Sequence, residues 1–558
     1  MSAADAPRRV GVVGAGPVGM ALAARLAAHG VETLVLERQP APRRQGSKAC
    51  LVQGDALEVL GWLGLGDAVA ARGLTWRTGH TYVRGREVRR DEYPARVGYG
   101  PFVNISQWDV EQVLRAHLDA QPSSTTLWGH EVVGYAEHAE GVHVTTRDGA
   151  GGEHVHDVAW LVGCDGVRST VRGLAPVTWT GYTHGDRFLI TDLRCALPLP
   201  KERHFHYDPP FNPGRQVVMH PQPDDVWRID WQLPADTDVE AEVASGEFDR
   251  RVRRVVGDVP YEVEWRSTYR FHQRVVDRFV AGRVVLAGDA AHAFPPYGSR
   301  GMNSGFQDAD NLAWKLALVV HGVAGTELVE TYHAERRAAA DENLAVTERT
   351  LRFMVPPSRL RHAWRRVLLA ASRVTGRASR HVDSGRMAAP FRYTRSPIVT
   401  TRRPVDGALV PDALLEPLGG AGAGDGPRRL RTLLGHDFVL VRFPGAEPHP
   451  RPALPEGCVV DLVDPDLVDG AGRGDTPIAW SDPAGSVRAA FGLERDSWAL
   501  VRPDGHVAAT GPLADLDVAA ELVRAGGTPT GLGPAAGRVA VRPHPAADLA
   551  ATTAGGAA

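Results

Sequence analysis

The chain has 558 residues, 43% of them hydrophobic, which is enough for two or three packed units with their own cores. Its 63 basic and 66 acidic side chains leave a formal net charge of -3 spread along the sequence, a balance that excludes an overall field for nucleic acid or an anionic membrane and favours small neutral molecules as partners. The four cysteines, at 50, 164, 195 and 458, have neither C-x-x-C nor zinc-type spacing, which fits reduced thiols in a cytoplasmic protein and excludes a disulfide framework.

At the N-terminus Arg8 and Arg9 precede an apolar stretch, as in a secretory leader, but Gly11, Gly14, Gly16 and Gly19 would weaken a leader helix. No run reaches the roughly 20 apolar residues of a membrane span. The stretch "RRVGVVGAGPVGMALAARLAAHGVETLVLER" instead predicts strand, glycine turn, helix and strand. Val10 to Val13 form the first strand, Leu22 to Ala28 lie in a helix without breakers, Gly30 ends it, and Thr33 to Leu36 form a second parallel strand. Pro17 falls in the first helical turn, where its missing N–H costs nothing, and Val18 follows it.

The fingerprint Gly14-x-Gly16-x-x-Gly19 assigns one task to each glycine: a tight turn, close approach of backbone to a pyrophosphate, and close packing of helix on strand. Glu37, followed by Arg38, closes the second strand, where its carboxylate can accept hydrogen bonds from an unphosphorylated ribose such as that of FAD or NAD. Further along, "LVGCDGVRSTVR" runs an apolar strand into Asp165-Gly166, with Arg168, Ser169 and Arg172 at helical spacing.

Between Pro176 and Val280 the pattern changes to period two. Trp227, Ile229, Trp231 and Leu233 alternate with Arg228, Asp230 and Gln232, which predicts a half-buried antiparallel sheet with an aromatic face. Such a face belongs to the core more often than to a pocket.

Arg283 to Ala287 read as a strand with Gly288-Asp289 at its C-terminal edge, the place where open α/β sheets bind ligands, and Asp289 could accept hydrogen bonds from a polyol. Pro295-Pro296 stiffen the next turn. Met302, Phe306, Ala309, Ala313, Leu316 and Val320 then recur on one helical face, and Ser304 with Gln307 resembles a capping box, so the helix is expected to start close to Gly301. The backbone donors of Gly301, Met302 and Asn303 would point at a ligand that becomes anionic along one edge, as a reduced flavin does.

After about Arg402 short apolar strands, "FVLVRF", "CVVDLV" and "WALVRP", alternate with Gly/Pro/Asp turns, and "RPDGHV" reads as a hairpin. "GGAGAGDG" reads as a linker and the last residues as a frayed tail. Cys458 stands without a partner for dithiol chemistry.

Taken together, "GAGPVG" with Glu37, "CDGVRSTVR" and "GDAAHAFPPYGSRGMNSGFQDADNLAWKLA" resemble the class A flavin-dependent aromatic monooxygenases, a group that includes phenol hydroxylase and 3-(3-hydroxyphenyl)propionate hydroxylase. The resemblance spans residues 1 to about 350. It implies an α/β fold: a Rossmann-like FAD-binding domain in two parts, residues 1–175 and 281–401, an inserted antiparallel-sheet substrate domain, residues 176–280, and a C-terminal thioredoxin-like domain, residues 402–558. It implies FAD as cofactor and NAD(P)H as a transient reductant, with O2 and a phenolic or polycyclic aromatic compound as substrates and transfer of oxygen through a flavin C4a-hydroperoxide. It places Gln107 near the ribityl chain and Lys48 where relatives use an arginine for the pyrophosphate, which loses the bidentate fork. His292 of "GDAAH" is expected to pack at the helix approach.

No metal is called for, since the histidines and cysteines show no ligand spacing. For a base acting on a phenol the candidates are His206, Tyr207, His220, Tyr269 and His272, with Pro296 on the ring-side wall. The C-terminal domain is expected to be structural or an oligomer contact, which would make a homodimer. Two other readings stay open: a flavin halogenase, whose W-x-W-x-I-P signature is not matched by Trp227 and Trp231, and a scaffold that retains flavin without catalysis.

Overall fold

The computed structural model describes residues 8–43, 49–356, 358–383, 385–400, 403–418, 426–445, 452, 454, 458–463, 479–482 and 485–515. Lys48, the "GGAGAGDG" glycines from 419 to 425 and the tail beyond residue 515 lie outside them.

Three separate stretches of chain build one six-stranded sheet, in the order Val280–Ala281, Val284–Leu286, Trp160–Gly163, Val10–Val13, Thr33–Glu37, Ser124–Trp128. All neighbours are parallel except the first pair. Val10 and Val12 are fully buried, as apolar runs are in a sheet covered on both faces. The helix Pro17–Ala28 has proline in its first turn and ends before Gly30, at φ 75°. It packs along the helix Arg300–Val320, which carries the apolar face read from Met302 to Leu316 into the core.

That second helix starts within one residue of the expected place, but not for the expected reason. Ser299, at φ 54°, precedes it and makes no capping bond. Ser304 is already helical, and its hydroxyl accepts a hydrogen bond from Arg336 Nη2 at 3.0 Å, so no capping box forms with Gln307.

The period-two segment forms an eight-stranded sheet, in which Glu262–Val276, Trp179–Arg194, Val226–Leu233, Gln216–Pro221 and Arg203–Tyr207 are successive neighbours. The sheet also takes in Thr78–Val83 and Arg86–Glu92 from the earlier stretch of chain, with Thr78–Val83 parallel to Arg203–Tyr207. Trp227, Ile229, Trp231 and Leu233 pack on Val239, Phe248, Val252 and Val256 of two covering helices, so the aromatic face is core. The other face is not solvated as expected: Arg228 and Gln232 are 1% and 6% exposed, and Arg228 lies against Cys50 of the N-terminal stretch.

The C-terminal stretch forms a seven-stranded mixed sheet. Val459–Val463, Val439–Phe443, Ser497–Val501 and Val507–Pro512 lie in that spatial order, the first pair parallel and the rest antiparallel, with the hairpin at Arg502–His506. Its docking was not foreseen. Arg502 and Asp504 of the hairpin enter a buried cluster in which Glu335 accepts from Arg502 Nη2 at 2.9 Å and Lys315 Nζ at 2.6 Å, and Asp504 accepts from Asn311 Nδ2 at 3.0 Å. Arg25 of the first helix pairs with Asp310 at 2.8 Å and donates to the Gly435 carbonyl at 2.6 Å.

Candidate functional site

The three fingerprint glycines meet three different constraints. Gly14 has φ 104°, and a Cβ there would lie 2.7 Å from the Cys164 carbonyl oxygen. At Gly19 a Cβ would collide with the Gly14 carbonyl oxygen. Gly16 has nothing within 4 Å and opens into a cavity of about 650 Å³. Bare backbone at a helix N-terminus, facing open space, is what a pyrophosphate needs.

Around this turn Pro17 and Val18 also line the cavity, and Val18 leaves no slack at Gly288, where a Cβ would lie 3.1 Å from it. Glu37 turns its carboxylate back on the loop: Oε2 accepts from the Ala15 N–H and Oε1 from the Gln39 N–H, each at 2.9 Å. Arg38 lines the same mouth and is exposed.

The cavity then passes Asp165 and Gln107. Asp165 spends its oxygens locally, on the Ser169 hydroxyl at 2.5 Å and the Thr170 N–H at 2.6 Å, so it holds the turn that presents residues 165–167. Gln107 heads the helix Gln107–Asp119 and donates to Glu111 at 2.8 Å.

Asp289, Gly301, Met302 and Asn303 line the next part of the cavity, brought together by a short 3-10 turn and the first turn of Arg300–Val320. The one atom near a Cβ at Gly301 is an Asp289 carboxylate oxygen, 3.8 Å away. Gly288 does not line the cavity. It supports Asp289 from behind, at φ 59°, with its N–H donated to Asp308 at 3.0 Å. Asn303 joins strand to helix, accepting from the Gln53 N–H at 2.8 Å and donating to the Leu51 carbonyl at 3.1 Å. Without a capping side chain this helix start keeps its donors and its positive dipole end for a ligand. Arg300 adds to that field. It is 2% exposed, its Nε and Nη1 have no partner among the described residues, and burial, then Arg386, lowers its pKa to about 10. A dinucleotide whose ring carries negative charge along one edge fits this donor set.

His292 does pack at the helix approach, and its Nε2 lies 2.6 Å from Asp308 Oδ2. Burial raises the Asp308 pKa, but His292 and Arg336 outweigh it and hold the carboxyl below its usual range.

Beyond the helix start the cavity reaches the second sheet, where His220, Tyr269 and Pro296 stand in its wall. Burial, then Arg203 and Arg228, holds His220 well below the ordinary imidazole range, and its Nδ1 is unpaired among the described residues. Burial, then Asp289, raises Tyr269. His206 and Tyr207 are not in the cavity. His206 is stacked on Tyr82 at 4.6 Å, with burial pressing its pKa to about 3, and Tyr207 donates to the Asp383 carbonyl. His272 bonds Thr183 at 2.9 Å, away from the cavity.

Sequence reasoning missed Asp230. It lies two residues along the strand from Arg228, whose guanidinium is clamped by Asp192 through two 2.7 Å bonds. Asp230 lines the cavity, its Oδ1 is buried without a partner among the described residues, and burial lifts its pKa to about 7 against the pull of Arg228. The signal was a pair of charges alternating with tryptophans, which reads equally well as a solvent face.

Two histidines and a carboxylate come together outside the cavity. His138 Nε2 and His143 Nδ1 lie 2.9 and 3.4 Å from Asp157 Oδ1, in a half-buried to exposed group on a separate three-stranded sheet, apart from the cavity lining. His143 and Asp157 face each other across paired strands, and His138 sits in the turn just before His143.

Residues 8–347 match the FAD binding domain family. The chain belongs to the FAD-dependent monooxygenases. Among relatives of this flavoprotein is the 3-(3-hydroxy-phenyl)propionate/3-hydroxycinnamic acid hydroxylase of Mycolicibacterium smegmatis, 30% identical over 89% of each chain. Another is the 6-methylpretetramide 4-monooxygenase of Streptomyces rimosus, 32% identical over 97% of this chain and 98% of its own. In fold the monooxygenase is similar to the flavin-dependent monooxygenase PieE, solved in complex with FAD and substrate, with a TM-score of 0.75 at 24% identity over 92% of this chain and 98% of that one.

Proposed function

We propose that this monooxygenase hydroxylates a phenolic ring of a polycyclic aromatic compound, taking electrons from NAD(P)H and oxygen from O2. One observation carries the reading: past the flavin-binding stretch the cavity ends in an apolar wall of Ile190, Phe294 and Pro296 broken by two polar groups, Asp230 and His220. A site of that kind orients an aromatic ring by its hydroxyl. Similarity over nearly the whole length to an enzyme named for a pretetramide supports a substrate of several fused rings.

When bound, FAD supplies the electron transfer from NAD(P)H and the activation of O2. The chain's own residues do the rest. Gly16 and the helix start before Pro17 receive the pyrophosphate, Glu37 and Asp289 accept from the ribose and polyol hydroxyls, and the N-terminus of Arg300–Val320 faces the anionic edge of the ring. Phe294 and Pro296 exclude water. Asp230 accepts the phenolic proton, with His220 in the same cavity wall, so that the ring carbons ortho and para to the oxygen become nucleophilic; as the hydroxylated ring regains aromaticity the carboxyl returns that proton to the ring oxygen, and the freed carboxylate takes the proton leaving the ring carbon. Halogenase chemistry gains no support from the tryptophans, since Trp227 and Trp231 are 0% exposed in a core away from the cavity.

We also propose domain limits at 175, 280 and 401, with a thioredoxin-like C-terminal unit whose role is structural. The spatial order of the four strands from Val459–Val463 to Val507–Pro512 supports this, as does Cys458, which is buried and unpaired.

The test is a panel of phenols and aromatic polyketides scored for accelerated NAD(P)H consumption together with an oxygenated product by mass spectrometry. A phenol should give both signals and its methyl ether neither. Turnover that ignores the hydroxyl would contradict the assignment.

A further inference from the structure

Another arginine-rich surface helix of this protein matches its cations with carboxylates. On the helix Glu247–Val256, Arg250 and Arg254 pair with Glu247, Arg251 with Glu242 and Arg253 with Asp249. The helix Arg359–Ser372 and the turn that follows it to Val382 hold seven arginines and no carboxylate. Arg359, Arg361, Arg366, Arg377 and Arg380 are exposed, and none of them forms an ion pair among the described residues.

The apolar face of this helix is also turned outward. Leu360, Trp364 and Val367 are 81%, 58% and 68% exposed, and Val374, just past the helix end, is 83% exposed. Steps of four and three put the first three on one stripe, with Arg361 on one flank and Arg359 and Arg366 on the other. The opposite face is the packed one: Leu369 and Ser372 are 6% and 4% exposed, and Leu369 belongs to the cluster around Phe205 and Tyr207. Amphipathic surface helices of globular proteins bury their apolar stripe, so an exposed stripe calls for a covering partner.

Charge decides which one. A second copy meeting the stripe about a two-fold axis would set arginines against arginines. A protein that wraps around the helix would have to strip Leu369 from its core. A flat, anionic, apolar-cored surface suits both the unpaired arginines and the outward Trp364. We propose that Arg359–Ser372 docks the protein on an anionic phospholipid surface, with the Trp364 stripe in the headgroup boundary and the flanking arginines on lipid phosphates. The balanced charge of the whole chain conceals this local excess, so the field excluded from the overall composition exists on one patch.

The test is co-sedimentation of the full-length, FAD-loaded protein with vesicles of phosphatidylcholine alone and of phosphatidylcholine with phosphatidylglycerol. The wild type should sediment with the anionic vesicles, remain in solution with the neutral ones, and be released by high salt. Leu360→Ser/Trp364→Ser should abolish sedimentation. Arg361→Gln/Arg366→Gln should weaken it about fivefold per arginine, and both variants should keep their flavin. No sedimentation of the wild type overturns the proposal, as does sedimentation that both variants retain. A dimer that forms without lipid and is lost in Leu360→Ser/Trp364→Ser would assign the stripe to a second copy and equally overturn it.

Discussion

Asp308 binds the backbone of Gly288: its Oδ2 accepts the Gly288 N–H at 3.0 Å, while Arg336 holds Oδ1 at 2.6 Å. A fully buried carboxylate on the helix Arg300–Val320 therefore fixes the strand-end turn that presents Asp289 to the cavity. Asp308→Ala would leave the buried Arg336 without its counter-charge and His292 without its hydrogen-bond partner. It should lower stability by about 3–5 kcal/mol, the usual cost of breaking a buried pair from one side. Chemical denaturation of the apoprotein reads this directly.

The glycine fingerprint separates folding from binding. Gly19→Ala drives a Cβ into the Gly14 carbonyl and should destabilise the apoprotein. Gly16→Ala meets open space, so the apoprotein should melt like the wild type yet bind FAD at least about tenfold more weakly, a loss of about 1.4 kcal/mol. Melting curves with and without FAD distinguish the two.

Two carboxylates at the cofactor cleft should rank in a set order. Glu37→Gln keeps one acceptor oxygen for Ala15 or Gln39 and should weaken FAD binding modestly, by about 1–2 kcal/mol. Asp289→Ala removes its acceptors from the cavity wall and should yield protein with little bound flavin. Equal losses in a flavin titration would contradict the ranking.

Asp230 gives a pH dependence whose sign is fixed. Its folded pKa, about 7, lies above the unfolded carboxylate value, so its contribution to stability is present below the unfolded pKa and is lost as pH rises through 7. Wild-type stability should therefore fall more between pH 5 and pH 8 than that of Asp230→Asn. The acidic limb of kcat/KM for a phenol, set by ionisation of Asp230, should disappear in the same variant. Parallel stability and activity profiles in the two proteins would remove Asp230 from the mechanism.

Much of the cofactor half was legible because its constraints are local. A glycine turn, a strand-end acid and a helix start each involve residues close in sequence, so Gly14, Gly16, Glu37 and Gly301 could be placed from spacing alone. What depends on distant partners could not. Asp230 becomes a buried acid only because the other half of the molecule covers its sheet face, and Ser304 loses its cap to Arg336, 32 residues away. The docking of the C-terminal unit rests on Arg502 meeting Glu335 across 167 residues, a pairing with no periodicity to reveal it. His206 and Tyr207, adjacent on one strand, must point to opposite faces, and both proved to face packed side chains rather than the cavity.

The most direct measurement is the flavin content of the purified chain and its FAD titration after stripping, alongside Gly16→Ala. The wild type should be yellow, or take up one FAD per chain with restored thermal stability, and Gly16→Ala should bind it about tenfold more weakly. A colourless wild-type protein that is folded and unaffected by added FAD, or a Gly16→Ala variant that binds FAD as tightly as the wild type, would contradict the placement of the cofactor.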